Sequence, residues 1–190
     1  MMGDAEDEES GLARIRAAAK APLESARPRD CGHFEIRIDR NGSWFYRGTP
    51  INRMSLVRLF STVLRRDAAG AYWLVTPAER GRITVEDAPF LAVELERHSA
   101  ARDQVLIFRT NLGDSVTLDA AHPLRIETEP SNRGPRPYIL VRNGLEARIA
   151  RPVFYELVEL AGEERVGQTI RFGVWSKGTF FPLDQATEGG

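Results

Sequence analysis

The sequence is poor in cysteine and contains no long apolar run. Cys31 is the only cysteine among 190 residues, which excludes an intrachain disulfide and a cluster of thiolate metal ligands and fits a reducing compartment. No apolar run approaches the roughly 20 residues that span a bilayer. The first ten residues are acidic, where a secretion signal would be basic. We therefore expect a cytoplasmic protein without a membrane partner.

Lysine is also scarce, and the charges are nearly balanced. Lys20 and Lys177 are the only lysines among 26 basic residues, 27 residues are acidic, and the net charge is -1. Basic residues are interleaved with acids along the whole sequence, without the one-sided cluster that phosphate backbones attract. We therefore expect no nucleic-acid partner.

The common catalytic sequence templates are missing as well. The sequence has no Gly-x-Ser-x-Gly elbow, no Gly-x-x-x-x-Gly-Lys phosphate loop, no Gly-x-Gly-x-x-Gly and no His-Glu-x-x-His. His33, His98 and His122 are far apart, and none has a second metal ligand at helical or hairpin spacing. We expect no metal and no cofactor. Enzymatic activity stays uncertain, and the balance favours a protein that is not an enzyme.

A strand, a turn, a second strand and an amphipathic helix follow one another from Phe34 to Leu64. Apolar and polar residues alternate over 34–38, as in a half-buried strand, and Asn41-Gly42 is typical of a tight hairpin turn. A fainter copy runs from Tyr138 to Ala161 and turns at Asn143-Gly144. A further hairpin trails each copy, so we interpret the pattern as a duplicated hairpin-helix-hairpin unit.

The middle of the sequence predicts a series of strands over 90–97, 104–110, 115–118 and 124–128. An antiparallel meander is the simplest arrangement. Counted from Arg82, about seven strands precede a helix that begins at Pro152, which is the element order of pleckstrin-homology-like barrels. We therefore predict an α+β protein: a mobile acidic tail and linker over 1–30, an N-terminal α+β domain over 31–81, and a mostly antiparallel β domain with a terminal helix over 82–190.

Five runs of the sequence carry a family resemblance. They are GSWFYRG at 42–48, LVTPAE at 74–79, VEDAPF at 85–90, HPLR at 122–125 and RNGLEAR at 142–148. Together they resemble an uncharacterised bacterial family, domain of unknown function 1285, over Gly32 to Leu183. The resemblance implies two structurally related domains, the second loosely similar to the pleckstrin-homology fold. It also implies a binding or signalling role, without an established reaction or ligand.

Three acidic residues are candidates for one binding rim. Glu86 and Asp87 end a predicted strand, and Glu79 lies on the turn before it. If the three carboxylates converge, they would raise one another's pKa and hold a cation or an amine. The alternative is a solvated turn in which Asp87 bonds nearby backbone amides.

Four arginines in the C-terminal part form a candidate basic set. An arginine fork recognises carboxylates and phosphates. The alternative is surface ion pairing with Glu127 or Glu146, which contributes little to stability. The four are Arg125, Arg142, Arg148 and Arg151.

Each of three tryptophans lies in a strand or turn of the repeated units. Trp44, Trp73 and Trp175 are expected to fill a core or a domain contact, and a ligand-stacking surface is the second interpretation.

These candidates lead to one functional prediction and two alternatives. We predict a non-enzymatic binding module for an unidentified small molecule or protein, with a site in the groove between the domains. The first alternative is a small hydrolase or transferase with Glu79 or Asp87 as general base and His122 as acid. The second is a structural interaction protein, and a homo-oligomer is left open. The predicted site consists of Glu79, Glu86, Asp87, Arg125, Arg142 and Trp175.

Overall fold

The computed structural model describes residues 12–13, 16–17, 28–128 and 134–184. The chain divides into two units, Met1–Pro89 and Phe90–Gly190, both mostly β. The predicted boundary at Gly81 falls inside a strand of the first unit, Glu79–Val85. Residues 12–13 and 16–17 are helical. Of the predicted acidic tail and linker over 1–30, all but residues 12–13, 16–17 and 28–30 lie outside the described residues, and the linker ends earlier than predicted because Arg29 and Asp30 already belong to a strand.

The first unit is one six-stranded sheet with a helix, α1 (Met54–Thr62). The strand order is β3-β2-β1-β6-β5-β4. Neighbouring strands are antiparallel except β1 and β6, which run parallel. The strands are β1 (Arg29–Ile38), β2 (Trp44–Tyr46), β3 (Thr49–Pro50), β4 (Leu64–Arg66), β5 (Tyr72–Val75) and β6 (Glu79–Val85).

The predicted alternation in β1 is confirmed, because Phe34, Ile36 and Ile38 are all buried. On α1, Leu56, Val57 and Phe60 are buried, and the Phe60 ring lies 6.3 Å from the Trp44 ring between centroids. This apolar face of the helix therefore belongs to the core of the unit.

The helix ends earlier than the sequence predicts. Its N-cap position is occupied by Arg53, whose side chain makes no capping hydrogen bond. At the other end, Leu64 already belongs to β4, where it pairs with Leu74 and is fully buried. An apolar residue at helical spacing can thus be buried equally well by a strand, which the periodicity does not distinguish.

Asp67 organises the turn between β4 and β5. Its carboxylate accepts hydrogen bonds from the indole Nε1 of Trp73 at 2.8 Å and from the amides of Ala69 and Ala71 at 3.0 and 2.8 Å. These bonds, with that of Trp73 the strongest, lower the pKa of Asp67 below its ordinary value of 3.8.

Replacing Trp73 with Phe should raise the pKa of Asp67 in the folded protein, because the ring loses its N–H donor. A lowered folded-state pKa means that the charged carboxylate adds stability above the ordinary pKa and that this contribution disappears as the pH falls through the folded-state pKa. The stability difference between native protein and Trp73→Phe should therefore shrink in acid. An NMR titration of the Asp67 carboxyl carbon and denaturant unfolding at neutral and acid pH check both statements. An unchanged pKa of Asp67 would contradict them.

The second unit contains a six-stranded sheet, a helix and a three-stranded sheet. The large sheet has the order β10-β11-β12-β7-β8-β9, and the small one β13-β14-β15. The helix is α2 (Arg151–Glu159), with Pro152 in its first turn as predicted. The strands are β7 (Phe90–His98), β8 (Val105–Thr110), β9 (Ser115–Thr117), β10 (Leu124–Thr128), β11 (Pro135–Arg142), β12 (Leu145–Ile149), β13 (Gly162–Val166), β14 (Thr169–Ser176) and β15 (Thr179–Pro182).

Two features of the large sheet differ from the predicted meander. First, β12 pairs with β7 in parallel, with Ala147 opposite Phe90, so the sheet is mixed. Second, the seven strands counted from Arg82 are all present, but β6 pairs with β1 in the first unit and only six belong to this sheet. Period-two alternation specifies strands but not their partners, which is why both features escape the sequence pattern.

The small sheet is tied to the large one by a buried serine. Ser176 on β14 has no exposed surface; its hydroxyl donates to the carbonyl of Leu118 at 2.7 Å and accepts from the amide of Leu106 at 3.1 Å. One side chain therefore satisfies two backbone groups of the neighbouring sheet. Among the described residues no helix is long and apolar enough to cross a membrane.

Candidate binding site

A cavity of about 250 Å³ lies within the second unit, where the end of β7 and the short 3₁₀ turn Ala101–Asp103 meet the end of α2 and the small sheet. We call it the Trp175 cavity. Its lining residues are Arg97, Ala101, Arg102, Gln104, Leu160, Ala161, Gly162, Glu163, Gly173, Trp175 and Phe180.

Two glycines leave room for the cavity. Gly162 on β13 and Gly173 on β14 are register partners, so neither of these two strands has a side chain at this rung. A Cβ at Gly162 would meet no atom of the described structure within 4 Å. At Gly173 it would lie 2.3 Å from the carbonyl oxygen of Phe181, because β15 approaches closely there. The first glycine is therefore replaceable, whereas the second is required by packing.

The aromatic wall of the cavity consists of Trp175 and Phe180. Their ring centroids are 5.5 Å apart, and the two residues are partners across β14 and β15. The Trp175 indole Nε1 donates to the carboxylate of Glu164 at 3.2 Å, and its backbone carbonyl accepts from the buried Gln104 side chain at 2.7 Å. The bond to Glu164 orients the indole, and the bond from Gln104 holds the backbone of β14 at this residue.

The charged groups around the cavity fall into two kinds. Arg102 donates hydrogen bonds to both carboxylate oxygens of Glu164, at 2.8 and 3.0 Å. Its guanidinium also stacks over the Trp175 ring, 4.8 Å from the ring centroid. Arg97 instead donates its Nε to the backbone carbonyl of Ser99 at 3.2 Å, and it forms no ion pair with any residue that the structure describes. Glu163 likewise has no ion-pair partner within the described ranges. The register of β13 and β14 puts the Glu163 side chain on the face of the small sheet opposite Trp175, so the carboxylate on the cavity side is that of Glu164, which Arg102 already pairs.

The loop beside the cavity has an unusual backbone. Ser99 and Ala101 have φ angles of 63° and 56°, in the left-handed region that residues other than glycine seldom adopt. Such residues cluster at ligand sites, where the surrounding structure holds them in place. Here the bond from Arg97 to the Ser99 carbonyl and the 3.4 Å bond from the Gln104 amide to the Ala101 carbonyl hold the loop.

The three predicted acids do not share one rim. Glu79 is the first residue of β6 and lies 3.4 Å from the Cys31 sulfur. Glu86 follows the last residue of β6 and forms an ion pair with Arg37, and Asp87 is in the next turn. At about 3.3 Å per residue, the two ends of this strand are roughly 20 Å apart. Glu79 is thus separated from Glu86 and Asp87 because the turns before and after β6 are at opposite ends of the strand.

The two predicted arginines are each engaged locally. Arg125 forms ion pairs with Glu127 and Glu146, as the alternative interpretation predicts, and stacks over Tyr138 at 4.3 Å. The hydrogen bonds to Glu146 are the largest cause that raises its pKa. These contacts occupy the guanidinium from three sides.

Arg142, at the end of β11, contacts Asp114 at 3.0 Å and stacks over Phe90 at 4.8 Å. Arg148 is on β12, and Arg151 begins α2. Of the six predicted site residues, Trp175 alone lines the Trp175 cavity.

The histidines are in separate places. His122 Nδ1 lies 3.0 Å from Asp119, whose other carboxylate oxygen is 3.4 Å from Lys177. His33 contacts Thr84 at 3.3 Å, and His98 lies 3.9 Å from a carboxylate on its own strand. Within the described ranges, no group of three or more His, Cys, Asp or Glu side chains is placed to hold a metal ion.

Sequence reasoning misses Arg97, Glu163 and the two glycines. The strand β13, which carries Glu163, is not predicted at all, because four of its five residues are exposed and apolar alternation is absent. Gly162 follows the end of α2 and is already the first residue of this strand. No local signal links these residues, since they come together only through long-range pairing.

Two family matches together cover residues 21–183. Residues 21–88 match the family described as "Domain of unknown function (DUF1285), N-terminal domain", and residues 89–183 match "Protein of unknown function (DUF1285), C-terminal domain". No curated protein matches the chain.

Two solved structures are similar to this protein. A DUF1285 family protein from Silicibacter pomeroyi DSS-3 is 43% identical, with a TM-score of 0.81, and the match covers 94% of this chain and 97% of that one. A DUF1285 family protein from Shewanella baltica OS155 is 26% identical, with a TM-score of 0.53, over 66% of this chain and 91% of that one.

Proposed function

The chain belongs to the DUF1285 family, and from the geometry of its second unit we propose that it is a non-enzymatic binding module that holds a small molecule in the Trp175 cavity. The proposed partner is a soluble small molecule, not a nucleic acid or a membrane. A role in bacterial signalling, in which the bound molecule is the signal, is part of the same proposal.

The observation that carries this proposal is the fixed Trp175 ring beside an open cavity. Ligand sites combine an aromatic or apolar wall with a few polar groups that orient the ligand. The indole of Trp175 is hydrogen-bonded to Glu164 and stacked against Arg102, so little side-chain entropy is lost when a ligand contacts the ring. Five other residues of the predicted site stay a prediction: Glu79, Glu86, Asp87, Arg125 and Arg142.

The alternative function is a small hydrolase or transferase with His122 as acid. In its favour, Asp119 holds the His122 ring at 3.0 Å, which is how carboxylates orient catalytic imidazoles. The carboxylate is not one of the two predicted bases, Glu79 and Asp87. Lys177 also contacts the Asp119 carboxylate, at 3.4 Å, so a turn stabilised by ion pairs accounts for the same contacts. We therefore keep catalysis as the second candidate.

The duplication is also a proposal. In each unit a hairpin that turns at Asn-Gly precedes a nine-residue helix, and each large sheet contains one parallel pair of strands. These likenesses support a repeated hairpin-helix unit. The likeness of the second unit to the pleckstrin-homology fold stays a prediction, supported by the helix that follows its six-stranded sheet.

A fragment screen observed by protein NMR tests the proposed site. We expect small aromatic fragments to shift the indole signal of Trp175 and the amides around the cavity. Trp175→Leu should weaken the binding of these fragments about fivefold, since a stacked ring contributes about 1 kcal/mol.

Trp73→Leu is the matched control, because Trp73 also stacks with an arginine and donates its indole N–H to a carboxylate, in the first unit. Gly162→Val is a second test, since its side chain enters open space at the cavity wall and should block binding while the fold persists. The proposal would be refuted if no fragment shifted the NMR signals of the cavity residues, or if Trp175→Leu and Trp73→Leu weakened fragment binding equally.

A further inference from the structure

The small sheet of the second unit has one open edge. Its strand order is β13-β14-β15, and within the described part of the chain β13 pairs with no strand other than β14. Four of the five residues of β13 are exposed. An exposed strand edge offers unpaired backbone groups to a further strand, and proteins either cover such an edge or use it for association. The outer edge of β13 is therefore a candidate interaction surface.

The register of the hairpin shows which backbone groups point toward this edge. Val166 and Thr169 flank a two-residue turn and bond each other, and bonded and non-bonded pairs alternate from there. Glu163 and Phe172 thus form a non-bonded pair, and the Phe172 carbonyl instead accepts from the amide of the residue that follows β15, at 2.8 Å. The backbone amides and carbonyls of Glu163 and Arg165 therefore point away from β14, into the open edge.

The charges of this edge are complementary to themselves. Glu163 and Arg165 lie on one face of β13, both are exposed, and neither forms an ion pair with a residue that the structure describes. If two copies of β13 pair in antiparallel with Glu164 at the two-fold axis, Glu163 of each copy lies opposite Arg165 of the other. A register centred on either charged neighbour would place like charges opposite each other, which is unfavourable. One symmetric register is therefore favoured.

The same register satisfies the outward backbone groups. Glu163 and Arg165 are the residues whose amides and carbonyls face the open edge, and in this register they become bonded partners across the axis. Each of the two Glu163–Arg165 pairs then exchanges two backbone hydrogen bonds. The charge pattern and the backbone geometry thus select the same alignment.

Glu164, which lies at the axis, is already compensated within its own copy. Its side chain is on the opposite face of β13, where it accepts two hydrogen bonds from Arg102 and one from the indole of Trp175. Two Glu164 carboxylates would meet across the axis, but each faces a guanidinium that offsets their mutual repulsion. The central pair therefore does not oppose the contact.

Exposed apolar side chains flank the charged pairs. Ile170 and Phe172 of β14 lie opposite Arg165 and Glu163, and they are 61% and 38% exposed, whereas Val174 on the same face is buried. In the paired sheet, the stems of Glu163 and of Arg165 of the second copy lie between Phe172 of one copy and Ile170 of the other. Such stems cover apolar surface while their charged ends stay in water. The contact therefore shields part of an otherwise exposed apolar face.

From these observations we propose that the protein forms a symmetric dimer in which β13 pairs in antiparallel with β13 of a second copy, centred on Glu164. This dimer does not require a ligand in the Trp175 cavity. Because the contact joins two strands of only five residues each, the interface is small, and we expect a dissociation constant in the micromolar range.

Sedimentation velocity and NMR of the full chain test the dimer. The sedimentation coefficient should rise with protein concentration between about 1 µM and about 1 mM. The amides of Glu163 and Arg165 should become protected from exchange with water over the same range. In a mixture of labelled and unlabelled chains, an isotope-filtered NOE should connect the α protons of Glu164 across the axis, because the Cα atoms of a non-bonded antiparallel pair are about 4.5 Å apart.

Charge reversal tests the register. Glu163→Arg and Arg165→Glu each place like charges opposite one another and should weaken self-association about tenfold. An equimolar mixture of the two variants restores both opposite-charge pairs, so it should associate as tightly as the native protein. The double variant, with both substitutions in one chain, should recover in the same way. Arg58→Glu, at an exposed position of α1 in the first unit, is the control for net charge and should leave the dimer unchanged.

Three outcomes would overturn the proposal. A chain that stays monomeric up to about 1 mM leaves the edge of β13 to a partner of another kind. A dimer that both single reversals leave unchanged, or single variants that associate no better when mixed, would place the contact on another surface. Protection of the Glu163 and Arg165 amides without the NOE between the Glu164 α protons would indicate a different strand alignment.

Discussion

Replacing Gly173 with Ala should destabilise the second unit by about 3 kcal/mol, the upper end of the usual range for overpacked sites. An added Cβ would lie 2.3 Å from the Phe181 carbonyl oxygen and 2.8 Å from the Pro182 Cα, and both atoms belong to the backbone of β15. A flexible side chain could move aside at little cost, but a paired strand moves only if its hydrogen bonds to the neighbouring strand break. We therefore expect β15 to separate from β14 at this rung.

Gly162→Ala is the matched control, because it changes the register partner of Gly173 in the same way. Its Cβ would meet no described atom within 4 Å, so its unfolding free energy should stay within about 0.5 kcal/mol of the native value or rise slightly. Denaturant unfolding, with hydrogen exchange of the β14 amides as a local probe, measures both variants. Equal stability of the two would show that β15 is not held as closely as described.

Replacing Ser176 with Ala should cost about 2 kcal/mol or more. The hydroxyl serves the Leu118 carbonyl and the Leu106 amide, and its residue has no exposed surface. Without it, two backbone groups in the interior lose a partner, and each unsatisfied buried group costs about 1–3 kcal/mol. The small sheet should loosen from the large one before the large sheet itself unfolds.

Thr179→Ala provides the comparison for Ser176→Ala. Thr179 is the cross-strand partner of Ser176, also carries a hydroxyl, and is exposed. Its loss should change stability by less than about 0.5 kcal/mol. Hydrogen exchange at the Leu106 amide distinguishes the two, since that proton should exchange faster only in Ser176→Ala. A loss in Ser176→Ala no greater than in Thr179→Ala would exclude the bridging role.

Much of the fold is readable from the sequence, where local rules apply. The alternation of Phe34, Ile36 and Ile38 predicts β1, and Asn143-Gly144 predicts the hairpin of β11 and β12, where both residues have positive φ angles. What the sequence does not show is pairing at a distance. The parallel contacts of β1 with β6 and of β12 with β7 follow from how the strands assemble, not from any segment alone.

The site is harder to read than the fold. The sequence indicates Trp175 as a candidate because a tryptophan in a predicted strand or turn can form a ligand-stacking surface. Arg97, Gly162 and Gly173 are inconspicuous in the sequence, and they come together only because the end of β7 and the small sheet border the same cavity. The acids at Glu79 and Glu86 illustrate the opposite error, since closeness in sequence placed them on one rim and an extended strand separates them.

The late position of the small sheet in the chain bears on when the protein becomes competent to bind. Gln104 and Trp175 meet across a sequence separation of 71 residues, so the wall of the cavity closes a long loop. Contacts between residues so far apart in sequence form slowly, because closing the loop costs conformational entropy before the contact contributes any stabilising free energy. A newly made chain would thus form the Trp175 cavity as one of its last folding events, and an intact cavity would show that folding of the second unit is complete.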